Sequence, residues 1–115
     1  MNAEEQILTT VLDRWKSAVD AHDPERVAVN FTEDAIFQGL HPYTVGPKGV
    51  AEYYDSQPLG MVAEYEIQET RRLAENLVLG YLHVDFTFTD RDTVSVQLSL
   101  VVEGEKIRHY QVSRL

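Results

Sequence analysis

The chain contains no cysteine. This excludes a disulfide framework, a thiolate metal site and a cysteine nucleophile, and nothing here requires an oxidising compartment. Basic residues are scarce: 10 Lys and Arg stand against 19 Asp and Glu, giving a net charge of −9. Such a surface repels phosphate backbones, and no Lys/Arg cluster offsets it, so nucleic acid and anionic membrane are poor partners. The ordinary consequence of the charge is solubility. No apolar run approaches the roughly 20 residues that cross a bilayer. The first residues, Met1-Asn2-Ala3-Glu4-Glu5-Gln6, are acidic and lack a basic, apolar leader pattern. A cytoplasmic protein is the expectation. Internal repeats, linkers and low-complexity stretches are also missing.

What is present fits one domain of 115 residues, with 43% hydrophobic and 25% charged residues. At this size a single core forms without crosslinks. Asn2 followed by Glu5 makes a capping-box pattern. Ile7, Leu8, Val11, Leu12, Trp15, Ala18 and Val19 then recur at helical spacing, predicting an amphipathic helix over about 3–21. Asp23-Pro24-Glu25 is a second helix start, with Val27, Ala28 and Phe31 as its apolar side. Ala35-Ile36-Phe37 is a short strand candidate, with the acidic pair Glu33-Asp34 shaping the turn before it. Gly39 to Gly46 reads as a loop from its Gly and Pro content. Pro47 opens a third helix over about 47–56, with Val50, Tyr53 and Tyr54 as bulky positions.

The second half changes character. Four extended segments, about 62–74, 77–89, 93–103 and 106–114, are separated by short turns, which predicts an antiparallel meander. Leu82, Val84, Phe86 and Phe88 share one strand face; Tyr81, His83, Asp85 and Thr87 share the other. Val94, Val96, Leu98 and Leu100 likewise oppose Thr93, Ser95, Gln97 and Ser99. Alternation of this kind places one face on the core. The other is polar without being rich in Lys and Glu, a composition suited to a partner. Helices followed by a meander give an α+β class: three helices packed on a curved, mostly antiparallel sheet. A twisted sheet around a long helix leaves a conical hollow, and three helices supply too few bulky residues to close it. A pocket is therefore expected.

Val11-Leu12-Asp13-Arg14-Trp15 through Ala21-His22-Asp23, then Phe31-Thr32-Glu33-Asp34-Ala35-Ile36-Phe37, then Gly46-Pro47-Lys48-Gly49-Val50-Ala51-Glu52-Tyr53-Tyr54, resemble the front half of nuclear transport factor 2-like proteins. That group includes ketosteroid isomerases, SnoaL-like polyketide cyclases and the association domain of calcium/calmodulin-dependent kinase II. His109-Tyr110-Gln111-Val112-Ser113 is similar to the last strand of the SgcJ/EcaC-like subgroup. The resemblance spans nearly the whole chain and implies the cone-shaped fold.

Its catalytic implications fail position by position. The oxyanion-holding Tyr of ketosteroid isomerases falls on Trp15, the general-base Asp on about Gly39, and the protonated Asp near Val96 or Gln97. Tyr54 matches a pocket Tyr of the family. No Gly-x-Gly-x-x-Gly follows a strand, and no flavin or nicotinamide signature is present, so no cofactor is expected.

Several side chains remain as candidates. Trp15, Phe37, His41, Tyr43, Tyr54, Val84, Phe86 and Tyr110 are the expected pocket set, for a small apolar organic ligand. His109, Tyr54 and His41 are the candidate acid–base groups; His109 depends on which face of the last strand points inward, which a bulge decides. Each also has a plainer reading, as core or surface turn. His83 and Asp85 could form an oriented acid–base pair, but two ligands do not make a zinc site. The alternative places Tyr81, His83, Asp85, Ser95 and Gln97 on an outer sheet face that forms a homodimer. A cofactor-independent isomerase, cyclase or hydrolase and a non-catalytic binding or dimerisation module are the two expectations for function.

Overall fold

The computed structural model describes residues 2–115. Helix α1 (Ala3–Asp20) begins as its capping pattern requires, with Asn2 Oδ1 accepting from the Glu5 N–H at 2.8 Å. Its apolar stripe, including Leu8, Leu12 and Trp15, is fully buried. Helix α2 (Pro24–Ala28) is capped by Asp23, whose side chain accepts from the Arg26 N–H. Helix α3 (Pro47–Asp55) follows Gly46.

The strands are β1 (Phe31–Gln38), β2 (Thr44–Val45), β3 (Val62–Ala74), β4 (Leu77–Thr87), β5 (Val94–Glu103) and β6 (Lys106–Arg114). They form one sheet in the order β2-β1-β6-β5-β4-β3. Every neighbouring pair is antiparallel except β1 with β6, which run parallel. The meander thus forms as its alternation predicts, and the architecture is α+β, with helices on the concave face of a curved sheet. Register shifts in β3, β6 and β1 supply the curvature.

Three local expectations change. Phe31 does not belong to α2; it is the first residue of β1 and is buried. Asn30 ends the helix instead, its amide donating to the Arg26 carbonyl while its side-chain oxygen accepts from Arg14 Nε at 3.1 Å. Glu33 and Asp34 accordingly lie within β1, exposed to solvent, rather than in a turn. The loop after β1 contains β2, whose two residues pair with Ile36 and Phe37. Among the described residues no helix is long and apolar enough to cross a membrane.

Candidate functional site

The hollow predicted from sequence is mostly filled. Trp15, Phe31, Phe37 and Tyr110 are almost completely buried and pack ring against ring. Phe37 stacks on Tyr110 with ring centroids 4.5 Å apart, and Trp15 packs against Phe86 and Tyr110 at 6.2 Å each. Offset and edge-on contacts of this kind are favourable for aromatic quadrupoles. What remains is a cavity of about 160 Å³ toward the end of the sheet where α3, the β1–β2 loop and the β4–β5 turn meet. The expected aromatics therefore act in two ways: some line the cavity, and others fill space that could have enlarged it.

Tyr54, Tyr110, Phe86 and His41 line the cavity. Trp15, Phe37 and Val84 lie behind its wall as core. Trp15 still acts on it, because its indole Nε1–H donates to the Tyr54 hydroxyl at 3.1 Å. The Tyr54 and Tyr110 hydroxyls lie 3.3 Å apart and share a hydrogen bond. Burial pushes both phenols well above the ordinary tyrosine range. Both stay protonated at neutral pH, so they are hydrogen-bond donors rather than bases.

Tyr43 is not in the cavity; it is exposed just before β2. His109 is also outside it, on the outer face beside Ile36 and Val101. The cause is a shift in β6. Ile107 pairs with Val102 but His109 pairs with Val101, which leaves Arg108 as an extra residue. The shift reverses the alternation, so Ile107, Tyr110 and Val112 all face inward.

Two of the three positions that the resemblance assigns to isomerase chemistry face the cavity, without the chemistry; the third, Trp15, lies behind its wall. Gly39 and Val96 line it. A β-carbon at Gly39 would lie 2.8 Å from the Tyr53 hydroxyl, so the Tyr53 ring occupies the space a general-base side chain would need. Tyr53 packs edge-on against Phe37, Tyr54 and His41. Burial raises its phenol as well, opposed in part by a hydrogen bond with the Leu40 backbone.

Sequence reading passed over Tyr53, Phe88 and Arg91, which also line the cavity. Phe88 lies one residue beyond β4 and continues the alternation of Phe86, which carried the signal. Arg91 stood in a turn, and nothing in its neighbours aimed it at the cavity. Its guanidinium lies 5.4 Å from the Phe88 ring centroid and pairs with Asp90 at 3.1 Å.

The outer sheet face collects the other candidates. Registry sets His83 beside Gln97 and Asp85 beside Ser95. His83 Nε2 lies 2.8 Å from Asp85 Oδ1, and the Ser95 hydroxyl donates to that same oxygen. Gln97 donates to Gln68 Oε1 at 2.7 Å and to the Leu82 carbonyl at 3.0 Å. The serine contacts the carboxylate and not the imidazole, so this is no nucleophile–base arrangement. The Asp85 carboxyl is held below the usual range, first by Ser95 and then by His83. Tyr81 is exposed on the same face. Among the described residues no three His, Asp or Glu side chains converge as a metal would require. A larger surface hollow, about 720 Å³, lies between α2 and α3. Small apolar residues, Lys48 and the acids Glu25, Glu52 and Asp55 line it, with no aromatic ring or imidazole among the described residues there.

No family model and no curated protein matches the chain. Solved structures do. A ketosteroid isomerase-like protein from Erwinia carotovora atroseptica superposes with a TM-score of 0.83 at 20% identity, over 100% of this chain and 98% of that one. A domain of unknown function with a cystatin-like fold from Nostoc punctiforme gives a TM-score of 0.83 at 20% identity, over 100% and 79%. An NTF-2 like protein of unknown function from Shewanella oneidensis gives 0.79 at 16% identity, over 95% and 98%. The chain therefore has the nuclear transport factor 2-like fold, shared with ketosteroid isomerase-like proteins.

Proposed function

We propose that this protein is a small-molecule-binding domain whose ligand sits in the cavity over the Tyr54 and Tyr110 hydroxyls. The observation that carries this is a concave, ring-lined space of about 160 Å³ with two protonated phenols in its wall. Apolar walls supply affinity and a few polar groups fix orientation, as in ligand sites generally. The ligand is small and mainly apolar. Among the described residues His41 is the one imidazole in the lining, and no carboxylate joins it. That composition supports binding more than acid–base catalysis of isomerase, cyclase or hydrolase type. The test is a thermal-shift screen of neutral and charged small organic molecules against the wild type and Val94→Trp. Val94 is a half-buried lining residue, and a bulkier side chain there plugs the space. Ligands that stabilise the wild type should lose their effect in the variant. Equal shifts in both proteins would place binding elsewhere.

A homodimer through the outer sheet face is the second reading, favoured by the polar, half-buried row His83, Asp85, Ser95 and Gln97 next to exposed Tyr81. Replacing His83 and Gln97 with Glu should weaken self-association in sedimentation. An unchanged association constant counts against this face.

A further inference from the structure

The cavity wall carries a donor that the protein leaves unused. Trp15 N–H, Tyr54 O–H and Tyr110 O–H offer three protons along one chain of contacts. Trp15 donates to Tyr54, and one tyrosine donates to the other. Among the described residues no further acceptor bonds to either hydroxyl, so one O–H is left over whichever way the pair points. Both tyrosines line the cavity, so that proton is available to an acceptor inside it.

The charge of the lining is just as selective. The chain holds 19 acidic residues, yet among the described residues none lines the cavity, whereas Arg91 and His41 do. Arg91 is half exposed in the β4–β5 turn, at the mouth; Asp90 takes its Nε and one terminal nitrogen at 3.1 and 3.2 Å, so a ligand carboxylate bonds the remaining terminal nitrogen or competes with Asp90. Five of the chain's eleven Phe, Tyr and Trp side chains border the space. A volume of about 160 Å³ accommodates one ring. Engineered cavities of about 150 Å³ take up benzene. A four-ring steroid is too large for the cavity here.

We infer that the ligand is a single-ring aromatic carboxylate bearing a hydrogen-bond acceptor away from the carboxylate. The ring lies among the aromatic walls, the carboxylate meets Arg91 at the mouth, and the acceptor takes the spare tyrosine proton. This rests on the binding reading above.

The test is calorimetric titration with four probes. Para-acetylbenzoate has ring, charge and acceptor. Para-ethylbenzoate lacks the acceptor, para-methylacetophenone lacks the charge, and para-xylene lacks both. Para-acetylbenzoate should bind about tenfold tighter than para-ethylbenzoate, the worth of one buried hydrogen bond. It should bind roughly fivefold tighter than para-methylacetophenone, with that margin shrinking as salt rises. Arg91→Gln, at an exposed position, should erase the second preference alone. Tyr54→Phe and Tyr110→Phe each retain a free O–H, so only the double variant should erase the first. If that variant does not fold, the four-probe ranking on wild type still decides. Para-xylene binding as tightly as para-acetylbenzoate overturns the inference and leaves the pocket reading standing. Binding by a fused-ring steroid but by none of the four overturns it in the same way. No binding by any ring compound overturns both.

Discussion

Tyr54→Phe tests the buried hydrogen-bond chain directly. Tyr54 is its central node, accepting from Trp15 Nε1–H at 3.1 Å and bonded to the Tyr110 hydroxyl at 3.3 Å. Removing the hydroxyl strands the indole N–H of a fully buried tryptophan. An orphaned buried donor costs about 1–3 kcal/mol, and the lost bond to Tyr110 adds about 1 kcal/mol. The phenyl ring that remains keeps its packing against Phe37, so the cavity term is small. We expect a loss of about 2–4 kcal/mol. For 115 residues the unfolding entropy is roughly 0.24 kcal/mol/K, so Tm falls by about 8–17 °C. Tyr110→Phe provides the control. It leaves the Trp15–Tyr54 bond intact and keeps the ring that stacks on Phe37, so it should cost about 1 kcal/mol, near 4 °C. Differential scanning calorimetry of both variants measures the contrast. Equal small losses would refute the reasoning, because they would mean that water from the cavity already satisfies these groups.

Three further outcomes follow from the geometry. Asp85 titrates below its ordinary 3.8, so its contribution to stability is present above that value and is lost as pH falls through the lowered folded value. Ser95→Ala removes the first cause of the shift and should raise the Asp85 value in a carboxyl carbon-13 NMR titration; an unmoved midpoint would assign the effect to His83. Gly46→Ala should cost about 2–3 kcal/mol, because φ is 87° and a β-carbon would sit 2.9 Å from the Glu33 carbonyl oxygen. Gly104→Ala, at φ 61° with open space around it, should cost only about 1 kcal/mol in urea unfolding; equal costs would discount the Glu33 contact.

The helices and the meander were legible because local chemistry set them. Asn2 and Asp23 cap where their side chains reach backbone N–H groups, and Pro47 begins a helix whose first N–H groups lack helical partners. Strict alternation in β4 and β5 assigned their two faces, since successive side chains must point oppositely. Phe31 was misassigned because helical spacing and strand alternation both accommodate it. Asn30 decided the matter by ending α2 through contacts to Arg14 and Arg26, the former from another helix.

Local pattern was enough to assign the apolar faces of β4 and β5 and the turns between the meander strands, and the family resemblance placed Gly39 and Val96 where isomerases carry acids. The division of the hollow between core and cavity depends on packing in three dimensions. One extra residue at Arg108 turned Tyr110 inward and His109 outward, and strand alternation cannot reveal a bulge that depends on the neighbouring strand. Packing likewise set Tyr53 into the space beside Gly39 and brought Arg91, from a turn distant in sequence, to the mouth of a cavity free of acids. These placements arise from side chains on separate elements competing for one volume, which no spacing along a single element encodes.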